Sequence, residues 1–172
     1  MRILFLAALS AALLAGCGSP RAPGATAHGD ADVCGLVKDA AAVFGHAVTS
    51  EADTGFGPIA GACRWQSADG VVIGDAALFT ADSVRTDADA ATPQAMYDKQ
   101  KAAIDALTDT PLDPVANLGD QATRALRTPS DQTQIVFITG DRVFLVRAAS
   151  SDPKLDGPAL AEKLAHALAD AK

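Results

Sequence analysis

Two tight-turn dipeptides, each between segments rich in apolar residues, constrain the fold of this chain more than any other feature. Glycine beside aspartate adopts the positive φ angles of a two-residue hairpin turn, and apolar runs on both sides are typical of paired strands. The sequence therefore predicts two antiparallel hairpins. Their strands are 62–67 and 71–80 around Asp69-Gly70, and 132–139 and 142–149 around Gly140-Asp141.

Three further segments have the apolar spacing of helices that bury one face. The first runs from Val33 to Phe44, between the capping residues Asp32 and Gly45. The second begins at Thr92, which is followed by proline, the residue favoured at a first helical position. The predicted buried residues are Met96, Ala103, Ile104 and Leu107 in the second helix, and Leu160, Leu164 and Leu168 in the last.

The rest of the chain predicts one more strand and two polar loops. The strand lies within 115–127, and the loops are 51–58 and 81–91. Because loops carry recognition more often than packed elements, the two loops are the predicted binding surface. We expect an α+β fold of two layers, with an antiparallel sheet of about five strands and helices mainly on one face. The order of elements also suggests a duplicated helix-plus-hairpin unit.

The first residues have the layout of a secretory signal peptide. Arg2 supplies a positive charge, residues 3–14 are mostly apolar, and small residues follow. The apolar run is too short for a permanent membrane-spanning helix. We expect removal of residues 1–16, a tether rich in Gly, Pro, Ala and Ser over 17–31, and a single globular domain over 32–172.

The stretch Leu14-Ala15-Gly16-Cys17 resembles the lipobox of bacterial lipoproteins. In that family the cysteine receives a diacylglyceryl group, cleavage occurs before it, and its amino group is usually acylated. The resemblance implies that Cys17 anchors the chain in a membrane, since two or more acyl chains hold a protein firmly. Gly18 at the next position implies sorting to the outer membrane, with the domain facing the periplasm.

The mature chain is acidic. Without Arg2 it has 13 Lys and Arg against 21 Asp and Glu, a formal net charge of −8. Sequence-independent binding to nucleic acid or to anionic lipid headgroups needs a basic surface, so we expect no nucleic-acid partner. Solubility accounts for the charge, and we expect a monomer.

Two cysteines remain besides Cys17, and they are Cys34 and Cys63. Outside the cytoplasm a pair of thiols normally becomes a disulfide, which is the prediction for this pair. The alternatives are a metal pair, weakened because no histidine lies at ligand spacing, and a reactive thiol at Cys34 near a helix start. Trp65 shares a strand face with Cys63 and is interpreted as a core residue, with a ligand-stacking platform as the alternative.

The sequence contains no catalytic, metal-binding or cofactor-binding motif. Glycine-rich phosphate and dinucleotide loops, the G-x-S-x-G elbow and the H-E-x-x-H zinc motif do not occur in it. His28, His46 and His166 are far apart in sequence. The nearness of Ser50 and Asp53 to His46 says little, because triads are recognised by spatial geometry. We predict no enzyme activity, no metal and no cofactor.

A second resemblance rests on Cys34, the triplet Cys63-Arg64-Trp65 and residues 118–122, followed by a Val-rich hairpin. This combination resembles secreted bacterial lipoproteins that carry an uncharacterised envelope domain. The resemblance implies an anchored, non-catalytic envelope module. We expect this module to bind a protein or another envelope component. Two alternatives stay open, a carrier for a small apolar ligand such as a lipid and an envelope hydrolase.

Overall fold

Seven strands and four helices make up the described part of this computed structural model, which comprises residues 31–53, 59–84, 90–127 and 132–171. The strands form one antiparallel sheet in the order β1-β2-β3-β7-β6-β5-β4. The strands are β1 (Val48–Ala52), β2 (Gly61–Ser67), β3 (Val72–Thr80), β4 (Asp113–Pro114), β5 (Gln121–Arg127), β6 (Gln132–Thr139) and β7 (Arg142–Ser150). The helices are α1 (Val33–Leu36), α2 (Ala40–Phe44), α3 (Pro93–Asp105) and α4 (Gly157–Ala169).

The α+β fold and the antiparallel sheet agree with the prediction, but the strand number of about five was too low. Both predicted hairpins are present, and Gly70 turns β2 into β3 at a φ of 71°. The additional strands include the two edges, β1 and β4. Most of β1 is exposed and β4 has only two residues, so neither shows the apolar alternation that identifies a half-buried strand.

The first predicted helix is divided into α1 and α2. Asp32 caps α1 and Asp39 caps α2, each accepting a hydrogen bond from a backbone N–H three residues later. Between them, Val37 leaves the helical conformation with a ψ of 89°. The second aspartate therefore starts a new helix inside a stretch whose apolar spacing alone predicted one. Gly45 ends α2 in the left-handed conformation, as predicted.

Helices α1, α2 and α4 cover one face of the sheet, here called the helical face. Trp65 is fully buried there, and its ring centroid lies 6.2 Å from that of Phe44, so it is a core residue as interpreted. Gly74 lies opposite Trp65, and a Cβ on it would meet the Phe44 ring at 2.5 Å. Glycine is needed for this close approach. The ridge of α4 is buried as predicted, with Leu160, Leu164 and Leu168.

Helix α3 packs on the opposite face, here called the α3 face, so the fold has three layers instead of the expected two. Thr92 caps α3 as predicted. The predicted buried stripe was only half correct, because Ala103 is exposed and Leu107 is 52% exposed. The buried side chains of α3 are those of Met96, Tyr97 and Ile104.

The strands of the two halves are arranged symmetrically about the central β3–β7 pair, with β2 and β1 on one side and β6 and β5 on the other. The helices that precede the two sets of strands do not share this symmetry. Helices α1 and α2 lie on the helical face, whereas α3 lies on the α3 face. This difference argues against a repeat of the whole helix-plus-hairpin unit.

Candidate functional site

The structure brings Cys34 and Cys63 together. They form a disulfide between α1 and β2, with Cα atoms 5.1 Å apart. The bridge lies in the core cluster of the helical face together with Trp65. Because both sulfur atoms are used in the bond, this geometry does not fit the alternatives of a metal pair or a reactive thiol. Cys17 lies outside the described residues.

A row of polar and charged side chains crosses five strands on the α3 face. Glu51 lies opposite Arg64, Arg64 opposite Asp75, and Asp75 opposite Arg147. Arg147 in turn lies opposite Gln134 in β6. Side chains directly opposite each other on neighbouring strands are close enough to interact. These five residues are called the charged row below.

Asp75 is the centre of the charged row and is only 5% exposed. Its Oδ1 atom accepts a hydrogen bond of 2.9 Å from Arg64 Nε, and its Oδ2 atom lies 3.6 Å from Arg147 Nη2. Arg64 Nη2 also donates a 2.9 Å hydrogen bond to Asp53 Oδ2. One buried carboxylate therefore serves two arginines, and two carboxylates hold Arg64.

The carboxylates fix both the charge and the position of Arg64. The hydrogen bond to Asp75 and the charge of Asp75 raise the pKa of Arg64 above its usual value, and the charge of Asp53 adds to this effect. The side chain of Arg64 is 42% exposed and that of Arg147 is 26% exposed. A guanidinium has five N–H donors, so a fixed and partly exposed one can bind a further acceptor on a partner.

The sheet beside the charged row is accessible near β1 and β2. Thr49 lies opposite Gln66, and both are exposed on the α3 face. Next to them Ile73 and Ala149 are half-buried. Helix α3 makes its main contacts with β5, β6 and β7. The row therefore borders a polar strand surface away from the main packing of α3.

Sequence reasoning missed the charged row. Strand β7 is largely apolar on both faces but contains Arg147, and β3 contains the single charged residue Asp75. A charge inside an apolar strand is costly to bury unless it is paired. An acidic residue in the interior of β3 and a basic residue in the interior of β7 are a signal that could have found the pair.

His46 contacts the β2–β3 turn and does not assemble a catalytic triad with its sequence neighbours. Its Nε2 atom lies 3.3 Å from Asp69 Oδ2, while Ser67 Oγ donates a 2.6 Å hydrogen bond to Asp69 Oδ1. The backbone N–H of Val71 donates to the same oxygen at 3.1 Å. The bonds from Ser67 and Val71 lower the pKa of Asp69 to about 2, with a smaller contribution from His46. In a triad the histidine lies between the other two residues, whereas here the carboxylate does.

A solvent-open groove of about 480 Å³ lies between α1, α2 and the end of α4. Its size is in the range of small-molecule sites, which are usually more enclosed. Apolar and charged side chains both line it, including Leu36, Val43, Ala167, Lys38, Asp39 and Asp170.

Comparison with known protein families and with curated proteins finds no match to this sequence. Within the described ranges, no three His, Cys, Asp or Glu side chains are grouped so that they could hold a metal ion. No helix in that part of the chain is long and apolar enough to cross a membrane. Of the loops predicted as a binding surface, residues 54–58 and 85–89 lie outside the described residues.

Proposed function

We propose that this chain is a bacterial envelope lipoprotein, anchored through Cys17 to the outer membrane and facing the periplasm. Its domain binds a partner protein and catalyses no reaction. The signal-peptide layout and the lipobox resemblance support the anchor. The charged row, on a strand surface beside the main packing of α3, is the observation that carries the binding function.

The pattern of the charged row favours a protein partner. Glu51, Arg64, Asp75 and Arg147 alternate in sign along the row. A partner must match both signs in register, which the surface of a folded protein can do. A uniformly charged polymer or lipid layer would be repelled by part of the row. Because carboxylates already hold Arg64, little side-chain freedom is lost on binding.

The predicted tether would make weak binding sufficient. A domain anchored to the membrane meets anchored partners at a high effective concentration, so the interaction needs no high intrinsic affinity. This supports a binding module that acts within the envelope.

Photo-crosslinking in intact cells tests the binding surface. A photoreactive amino acid at Gln66, exposed beside the charged row, should capture the partner, which mass spectrometry would then identify. The same amino acid at Ala102, exposed on α3, is the matched control and should capture little. Arg64→Met keeps the aliphatic part of the side chain and should reduce capture at Gln66. Equal capture at both positions, or none at Gln66, would refute the proposal.

The anchor has a separate test. Cys17→Ala should abolish incorporation of labelled fatty acid and release the domain from the membrane fraction. Cys34→Ser, which leaves the lipobox intact, should keep the label. Unchanged labelling in Cys17→Ala would exclude lipidation at this residue.

The groove between α1, α2 and α4 favours the carrier for a small apolar ligand as a second candidate function. A fluorescent fatty acid should then bind the full chain, and Val43→Glu should abolish that binding. The crosslinking pattern at Gln66 should stay unchanged in this variant, which separates the two candidates.

A further inference from the structure

Among the residues that the structure describes, β1 is an edge strand, and no other strand pairs with its outer side. Its last four residues are exposed, and its first, Val48, is half-buried. Edge strands of soluble proteins are protected from pairing with another chain by charged side chains, above all lysine, by proline or by a bulge. The sequence of β1, Val-Thr-Ser-Glu-Ala, has neither proline nor lysine, its one charged residue is Glu51, and its register with β2 is continuous.

The opposite edge shows what such protection looks like. Strand β4 has only two residues, and the second is Pro114. The backbone N–H of Val115 donates to Ala122 C=O at 3.1 Å. Hydrogen-bonded pairs alternate along an antiparallel ladder, so the nitrogen of Pro114 points to the outer side. Proline removes the donor at the position where another strand would need it.

The outward groups of β1 follow from the same alternation. The backbone N–H of Asp53 donates to Ala62 C=O at 3.1 Å, so this pair is hydrogen-bonded. Thr49 and Glu51, at steps of two, therefore bond to β2 as well. The N–H and C=O groups of the other three residues of β1 point to the outer side of the sheet. These residues are Val48, Ser50 and Ala52.

We propose that the open edge of β1 pairs with β1 of a second copy of this chain, antiparallel and with a two-fold axis at Ser50. Ser50 then lies opposite Ser50 of the second copy, and Val48 lies opposite its Ala52. The outward backbone N–H and C=O groups of these three residues then face the outward groups of the second copy, and each pair of residues exchanges two backbone hydrogen bonds. The arrangement is self-complementary, as a two-fold interface requires.

Charge selects this register over its neighbours. With the axis at Ser50, Glu51 faces Thr49 of the second copy. With the axis at Glu51, two glutamates would face each other, which is unfavourable on neighbouring strands. With the axis at Thr49, fewer outward-pointing residues would find a partner. The arrangement goes beyond the proposed function, and it would place the exposed parts of both α3 faces on one continuous surface.

This dimer departs from the monomer expected from the sequence, and it is weak because the paired strands are short. Stable interfaces bury at least about 1,000 Å², which is more than a five-residue strand pair provides. A high local concentration, such as that on a membrane surface, favours such an interaction. The experiment is therefore best performed with the full chain in its native membranes.

Thiol crosslinking tests the pairing. Ser50→Cys in the full chain, treated with a short bifunctional thiol reagent, should give a covalent dimer on a denaturing gel. Asp141→Cys, in an exposed turn distant from β1, is the matched control and should stay monomeric. The parent chain measures the background, including any contribution from an unmodified Cys17. If Cys17 carries no lipid, its free thiol would give a crosslinked band in the parent chain as well. A failure of the lipid anchor is thus distinguished from a failure of the β1 pairing.

A backbone variant completes the test. Ser50→Pro removes an outward N–H without removing a bond to β2, whereas Ser50→Ala keeps that N–H. Each variant is combined with Thr49→Cys, which supplies the reporter thiol, and is treated with a longer bifunctional thiol reagent. The chain with Ser50→Pro should lose the dimer band, and the chain with Ser50→Ala should retain it. Thermal unfolding verifies that both variants are folded. Equal bands in the two variants, crosslinking no greater than for Asp141→Cys, or capture of a different protein in place of a second copy would overturn the proposal.

Discussion

Both faces of the sheet carry an apolar core, but where β2 and β3 cross it the two faces have opposite character. On the helical face, Trp65 and Phe44 pack together over Gly74 in an apolar cluster, and a disulfide joins α1 to β2. On the α3 face, Arg64 and Asp75 take the intervening positions and pair with each other. Since successive residues of a strand point to opposite faces, one strand can contribute side chains to a buried apolar core on one face and to the charged row on the other.

The helical face and the charged row should contribute unequally to the free energy of folding. Apolar burial and the disulfide stabilise the helical face. In the charged row, the cost of burying charge must be offset by pairing, so the net contribution of the row to stability is small although removal of one partner is costly. Substitutions on the helical face should therefore lower stability most, and those on the charged row should affect binding more than folding.

The largest loss is expected for Trp65→Ala. The side chain is fully buried against Phe44, and truncation of a buried aromatic residue costs about 3–5 kcal/mol. Chemical denaturation measures this loss. Leu107→Ala, at a 52% exposed position, is the control and should change stability little. Similar midpoints for the two variants would contradict the core assignment of Trp65.

The disulfide comes next. Cys34 and Cys63 are separated by 29 positions, and closing a loop of this length stabilises the fold by roughly 3.5 kcal/mol through loop entropy. Cys34→Ser and Cys63→Ser should each lower the unfolding temperature by a similar amount, and the double variant should be no worse than either. Additive losses would mean that the two cysteines act independently.

A smaller loss is expected for Asp75→Asn on the α3 face. The substitution keeps the shape but removes the charge that Arg64 and Arg147 share, and a hydrogen bond to a charged group contributes about 2 kcal/mol. Denaturant unfolding should show this loss. Gln66→Glu, exposed on the same face, is the control. An unchanged Asp75→Asn variant would show that the pairing contributes nothing to folding.

The smallest effect concerns the β2–β3 turn. The pKa of Asp69 lies at about 2, below its usual 3.8, because Ser67 and Val71 donate hydrogen bonds to the carboxylate. Because the pKa of Asp69 is lower in the folded chain, the ionised carboxylate stabilises the fold at pH values above the usual pKa. This stability is lost as the pH falls from about 4 towards 2. Asp69→Asn should flatten the dependence of the unfolding temperature on pH in this window. A parallel curve for the variant would exclude the turn as its cause.

The hairpins, the N-cap of α3 and the ridge of α4 could be predicted because each depends on neighbours in sequence. The positive φ angle of Gly70 is set within the β2–β3 turn, and Thr92 accepts a hydrogen bond from a backbone N–H only three residues later. The edges were missed because β1 is a strand only through its pairing with β2. The charged row was missed for the same reason, since Asp75 meets Arg64 and Arg147 across strands that are distant in sequence.

Local chemistry in the sequence therefore determined the α+β class, the hairpins, the starts of α1 and α3 and the end of α2, and it predicts the signal peptide. The anchor at Cys17 is implied by the lipobox resemblance. Only the tertiary structure decided the strand order, the side of the sheet on which α3 packs, and the meeting of Asp53, Arg64, Asp75 and Arg147. Turns and caps depend on dihedral preferences and hydrogen bonds over a few residues. Register and layer depend on apolar burial and charge pairing between segments that only folding brings together.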